Sequence, residues 1–346
     1  MLVQQILLKI FHKLHRERTV SGAFHLLKGK RSGQTIQDVG IFKLYAYFGI
    51  LPKLSRANFE RELDLLLAQS FIILHENGYY ELTEKGLEQA MQPFDYEFYG
   101  WNYRGNEHLF FARLSLVIQS LSHQIHDIRA FIPIEKNEKV QRWVRGFLVD
   151  NQYRTKQLQP KLIAEIEQSI HMTSLDDSQK ELIISRLTGY KLAGLTWQQL
   201  AFHQKRTELD VQLCYISALH NWLNVLYGNS TLFPLLSQMM QNVRVEIPLT
   251  GSAFQTAQLF KQGHTIEQIS AFRRLKSSTV EDHIVELAMN DTEFELSQFV
   301  SLEDATLVRT AIEDYNTRKL KVLHEVVSHL SFFQLRLVLA KGDDVR

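Results

Sequence analysis

The sequence predicts a mainly α, multidomain protein: a winged-helix-like N-terminal domain with a small β-hairpin wing, a helical middle region and a C-terminal helix-turn-helix domain. Three observations lead there. Apolar residues recur at helical spacing along most of the chain. The period changes to that of strands only around residues 71–82. Gly and Pro are scarce, 16 and 6 in 346 residues, so no long flexible linker interrupts the elements. The divisions read as 1–92, an aromatic linker at 93–105, a helical middle at 106–246 and a last domain at 247–342.

The N-terminal domain opens with helices at about 1–15 and 20–28. The first is amphipathic, broken by Gln4, Gln5 and Lys9, and lacks the cleavage site of a signal peptide. A third helix is expected from Thr35 to Phe48, stopped by Gly49 and Pro52. Ser55 is placed to cap a fourth, Arg56 to Gln69, whose Phe59, Leu63, Leu66 and Leu67 share one face. Two short apolar runs flanking Asn77-Gly78 form a hairpin signature, and helices followed by a hairpin is the winged-helix order.

The aromatic stretch 93–105 admits two readings: packing, or a stacking platform for bases. The middle region reads as helices with breaks at Pro133, Pro160, Thr173–Asp177, Gly189–Gly194 and Gly228–Pro234. Val243–Pro248 is a candidate linker.

The most specific pattern lies at 253–290. A first helix ends near Lys261, Gly263 makes a turn, and Thr265 caps a second helix, Ile266 to Phe272. Arg273 to Lys276 make the next turn, and Ser277 or Ser278 caps a third helix ending near Ala288. Ile266, Ile269, Leu275, Val280, Ile284 and Leu287 fall where a tri-helical core needs them. The outward face of the third helix would carry Glu281, Asp282 and Glu286, which phosphate repels. These three are therefore candidates for docking a protein. Lys261, His264, Arg273, Arg274, Lys276, Ser277, Ser278 and Thr279 could hold a helix N-terminus against a phosphate. Base reading, non-specific DNA contact and protein docking stay open. Residues 194–215 align with 263–284 without a gap, which suggests a second helix-turn-helix-like unit at 192–224; the alternative is chance similarity of two amphipathic helix pairs.

The formal net charge is +1, which singles out no partner. Its distribution is uneven: about +7 over residues 1–60, about −6 over 61–100 and about +4 over 101–160. That is not the uniformly basic profile of a protein that coats nucleic acid. In the N-terminal domain, Lys28, Lys30 and Arg31 share one turn, and Arg56, Asn58 and Arg61 begin the recognition helix of the winged unit. Either they form a solvated face or they contact phosphate. The acidic patch from Glu76 to Glu97 would turn DNA away and suit a basic partner protein.

The run from Thr250 to Ala340, through KQGHTIEQISAFRRLKSSTVEDHI and LKVLHEVVSHLSFFQLRLVLA, resembles the helix-turn-helix domain at the C-terminus of some RecQ-type helicases. The stretches RTVSGAFHLLKGKRSGQTIQD and LSRANFERELDLL, with YELTEKG ending the wing, resemble the YpbB family of Firmicutes, whose proteins are typically encoded beside a RecQ-type helicase. The resemblance covers essentially the whole chain. It implies a non-catalytic helicase partner in DNA repair or recombination and supplies no catalytic residue. The rival readings are a helix-turn-helix transcription regulator and a nucleic-acid-processing enzyme, which would need carboxylates clustered around a metal.

Other chemical motifs fall short. Gly29 to Thr35 misses the spacing of a P-loop. His324 and His329 stand i,i+5, too far round a helix to share a metal. His12/His15 and His123/His126 read as solvated or capping residues. Cys214, the single cysteine, reads as buried filler, and its solitude fits a reducing compartment. The expectation is a cytoplasmic protein, free or nucleoid-associated, with no cofactor, no metal, no small-molecule substrate and no membrane span.

Overall fold

The computed structural model describes residues 1–14, 17–246 and 249–342. His15, Ile247 and Pro248 lie outside the described residues, and with them the end of the first expected helix and of the expected 243–248 linker. Among the described residues the chain forms nineteen α-helices and one two-stranded hairpin.

The N-terminal stretch contains α1 (Leu2–Leu14), α2 (Val20–Lys28), α3 (Gly33–Ile41), α4 (Arg56–Ala68), β1 (Ile72–Leu74), β2 (Tyr80–Leu82) and α5 (Glu84–Met91). In α1 the residues Ile6, Leu7, Leu8 and Ile10 are fully buried, so this helix is covered on more than one face. Ser55 caps α4 by accepting the Asn58 N–H, as expected. The strands pair antiparallel with Ile72 opposite Leu82. Asn77 Oδ1 accepts the Tyr79 N–H across the turn at 3.1 Å. Buried Tyr80 fastens the wing to α1: its hydroxyl donates to the Phe11 carbonyl at 3.0 Å and the two rings lie 4.3 Å apart.

The third helix differs from expectation. It begins at Gly33 and ends at Ile41 instead of running on to Phe48. Lys43 is left-handed, and the Leu44 N–H turns back to the Val39 carbonyl. The chain then buries Phe42, Leu44, Tyr47 and Phe48 from a short 3₁₀ turn. Burial of these four side chains outweighs about two further helical turns.

The middle stretch contains α6 (Gly100–Tyr103), α7 (Glu107–Ile125), α8 (Glu138–Asp150), α9 (Leu158–His171), α10 (Asp177–Ile184), α11 (Trp197–Gln204), α12 (Glu208–Gly228) and α13 (Pro234–Met239). Part of the expected linker at 93–105 is therefore helical, and Phe98, Trp101 and Tyr103 are buried. Tyr103 stacks on His220 at 4.8 Å and donates to Asn224 at 2.6 Å, so this stretch packs its aromatics. Pro160 sits in the first turn of α9, where its missing N–H costs nothing, and does not break a helix.

The C-terminal stretch contains α14 (Gly251–Lys261), α15 (Ile266–Arg273), α16 (Ser277–Asn290), α17 (Leu302–Asp314), α18 (Leu320–Val326) and α19 (Phe332–Lys341).

The chain divides into two compact units. One comprises Met1–Val3 with Pro93–Glu246, the other Gln4–Gln92 with the segment from 247 onward. The two end stretches, read separately from the sequence, thus share one unit. The reason is visible in α3: Thr35 through Ile41 are all buried, so this helix has no face left for water and needs partners all round. It finds them in α16 and α19. Buried Glu17 adds a polar tie, accepting from the Thr317 hydroxyl at 3.1 Å and from the Arg318 N–H.

Candidate nucleic-acid interface

Helices α14, α15 and α16 form the helix-turn-helix. Thr250 and Thr265 cap the first two. At Thr265 the capping is reciprocal: its hydroxyl accepts the Gln268 N–H, and the Gln268 side chain accepts the Thr265 N–H. The turn into α16 passes through left-handed Arg274. Lys276 occupies the N-cap of α16 with no side-chain bond, so Ser277 and Ser278 are the first helical residues and not the caps expected. Ile269, Val280, Ile284 and Leu287 are buried, as a tri-helical core requires; Ile266 and Leu275 are half-buried.

The acidic residues of α16 do not line an open face. Glu286 is buried and accepts from the Thr250 N–H and hydroxyl, anchoring the start of α14. Asp282 accepts from Gln37 of α3 at 3.1 Å and pairs with Arg336 of α19, which also reaches Glu281 at 3.3 Å. Helical periodicity pointed these carboxylates outward; Glu286 is buried instead, and Glu281 and Asp282, though part-exposed, are bound by partners from both ends of the chain. From Thr279 to Asn290, α16 has no exposed residue. It is built as the centre of its unit, and it offers no free face beyond its first turn to enter a DNA groove.

The cations sort into pinned and free. Arg273 is pinned to α14, donating to the Ser252 carbonyl at 2.7 Å, to Gln255 at 2.9 Å and to the Thr256 hydroxyl. Lys261 pairs with Asp291 at 2.8 Å while staying exposed. His264, Arg274, Lys276, Ser277 and Ser278 are exposed, and Thr279 is half-buried. In the N-terminal stretch, Lys28 donates to the Leu54 carbonyl at 3.2 Å. Arg56 pairs with Glu60 at 2.8 Å and lies over the rings of Phe24 and Phe59. Arg61 approaches Glu62 only to 3.9 Å, and Asn58 is half-buried. Lys30 and Arg31 are exposed. At the heart of this set is His25, a residue the sequence reading passed over. Its pKa is lowered, first by burial and then by the charges of Lys30, Arg56 and Lys28.

The packing of α3 on α16 brings the two cationic sets to one end. A Cβ on Gly33 would stand 3.2 Å from Asp282 Oδ2, and one on Gly40 would meet Met289. Seven residues along each helix lead from the first contact to the second, so α3 and α16 run in the same direction. Their N-termini therefore point the same way. The basic turn before α3, with Lys30 and Arg31, stands at the same end as Arg274, Lys276, Ser277 and Ser278 before α16. The positive ends of two helix dipoles add to these cations.

The middle unit repeats the motif. Thr196 caps α11 with the same reciprocal bond to Gln199, and Lys205 is left-handed as Arg274 is. Leu200 and Val211 are buried as Ile269 and Val280 are. Helix α10 packs on α12 and supplies the first helix of the trio. The second helices and the starts of the third helices coincide in register, whereas Gly194 lacks the positive φ of Gly263 and Thr207 caps α12 where Lys276 makes no side-chain bond.

Other clusters are internal or separate. Glu107 and His220 approach to 3.6 Å, each 1% exposed, and Glu107 has its pKa lowered: burial opposes the charge, but His220 and His108 favour it more. Cys214 is buried beside Arg206. His324 bonds the Leu330 carbonyl and His329 pairs with Asp304. No helix among the described residues is long and apolar enough to cross a membrane.

Comparison with known proteins adds two findings. A family model described as a helix-turn-helix domain matches residues 252–339. The chain is 32% identical over 336 residues to Protein YpbB of Bacillus subtilis (strain 168), covering 95% of this chain and 94% of that protein. No solved structure matches.

Proposed function

The chain belongs to the YpbB family, and from that membership we propose that it is a non-catalytic accessory protein that binds a RecQ-type DNA helicase and helps it engage DNA in repair or recombination. The support is the resemblance of its C-terminal stretch to a domain that some such helicases carry in their own chain: a helicase lacking it could receive it in trans. One structural observation weighs for this reading over a transcription regulator. The third helix of the helix-turn-helix is enclosed by α3 and α19, with its carboxylates bound internally, whereas a regulator needs that helix free to present side chains to base edges. Contact with DNA then runs through phosphates, at the shared N-terminal end of α3 and α16.

The test is co-purification of separately tagged chain and RecQ-type helicase from the same organism, with and without nuclease. A complex that survives nuclease supports the accessory reading. Failure to associate at micromolar concentrations, with the chain alone binding a particular duplex tightly, favours the regulator.

A further inference from the structure

The two helix-turn-helix units share a feature that neither their cores nor their caps require. Each second helix carries near its end a phenylalanine left largely in water: Phe272 in α15 is 77% exposed and Phe202 in α11 is 83% exposed. Each is followed within three residues by an exposed left-handed cation, Arg274 and Lys205. A single exposed ring on a protein surface is ordinary. The two rings are one position out of step, Phe202 aligning with Ala271 and Phe272 with His203, and Phe202 lies edge-on to His203 at 6.2 Å; what the corners share is an exposed phenylalanine in the last turn of the second helix, just ahead of a left-handed cation.

At the α15 corner the surroundings say what such a ring can meet. No ring or cation stacks on Phe272 among the described residues. Arg274 and Lys276 follow it in the chain, both exposed and without an ion pair among the described residues. Ser277 and Ser278 follow at the uncapped start of α16, and Lys30 and Arg31 stand at the same end through the parallel packing of α3. The one exposed carboxylate on α15, Glu267, belongs to its opposite end. A cationic track beside an open aromatic face suits a polyanion that also offers flat apolar surfaces. In a duplex those surfaces are stacked on one another and closed to a ring on a helix corner. In a single strand they are available, and every base has one.

We infer that the corner of Phe272, Arg274 and Lys276, extended by Lys30 and Arg31, binds single-stranded nucleic acid, with Phe272 stacked on a base and the cations along the phosphates. This rests on the reading of the chain as a DNA-engaging accessory and deepens it by naming the form of DNA.

The experiment is fluorescence anisotropy of the full chain with a labelled oligothymidylate of about 20 nucleotides and with a duplex of equal length, at low salt. The single strand should bind more tightly. Phe272→Ala should weaken it roughly tenfold while leaving thermal melting unchanged, because the side chain is already in water. Phe272→Trp should retain binding, and its indole fluorescence should be quenched by the oligonucleotide. Arg274→Glu with Lys276→Glu should reduce both affinity and its dependence on salt. Equal binding by wild type and Phe272→Ala, or preference for the duplex, overturns the inference. Helicase co-purification by Phe272→Ala keeps the two proposals apart: loss of single-strand binding with the complex intact, or absent from the start, bears on each separately.

Discussion

Gln37 donates a 3.1 Å hydrogen bond to Asp282, a residue 245 positions further along the chain. The bond joins the third N-terminal helix to the third helix of the helix-turn-helix. It converts a carboxylate that would have faced solvent, and repelled DNA, into part of an internal contact completed by Arg336.

Removing that carboxylate should loosen the union of the two ends. Asp282→Ala leaves Gln37 without its acceptor and Arg336 with Glu281 alone, and should cost about 1 kcal/mol, since the group is partly exposed. Amide exchange should quicken across α3 more than across α4. Unchanged exchange at residues 35–41 would mean that apolar packing alone holds α3 in place.

The stability of this unit should fall on acidification. Burial, then the charge of Arg273, holds the His283 imidazole below its ordinary 6.5, with Asp282 opposing. A folded-state pKa below the unfolded value means the contribution is whole above about 6.5 and is lost as pH falls through the lower folded value. His25 shifts in the same direction. Melting temperature followed from about pH 7.5 to about pH 5 should drop, and His283→Gln should drop less. His25 contributes to the residual fall; identical profiles would remove His283 from the account.

The two helix-turn-helix units should respond alike to loss of their caps. Thr265→Ala and Thr196→Ala each break a reciprocal bond with a glutamine three residues on. Each should cost about 1 kcal/mol in chemical denaturation of its own unit. A large cost at one and none at the other would limit the likeness of the units to backbone shape.

Two glycines should behave oppositely. Gly29 has φ +68, and a Cβ there would stand 2.9 Å from Gly49 Cα, so Gly29→Ala should destabilise by about 1–3 kcal/mol. Gly146 lies within α8 with nothing within 4 Å of an added Cβ, so Gly146→Ala should stabilise by up to about 1 kcal/mol. Thermal melting of both variants decides.

Local chemistry was legible in the sequence. Asn77-Gly78 marked the hairpin, Ser55 marked the start of α4, and Thr265 marked α15, because each works through neighbours a few residues away. The end of α3 was not legible: residues 42–48 remain apolar, and nothing in Lys43 announces a left-handed turn. Three hydroxyls in a row, Ser277, Ser278 and Thr279, hid the fact that Lys276 takes the cap position. Periodicity pointed Glu281 and Asp282 outward correctly for an isolated helix, but their partners come from positions 37 and 336. The union of the two ends had one trace, the near-continuous burial demand of Ile36, Val39 and Ile41, and that names no partner.

The central claim is that α16 is internal and any contact with duplex DNA is made through phosphates. The direct measurement is titration of the full chain with two unrelated duplexes of equal length at one salt concentration, repeated at a higher one. The account predicts equal affinities that fall together with salt. A preference for one duplex of about 10³ or more would contradict it and return α16 to the role of a recognition helix.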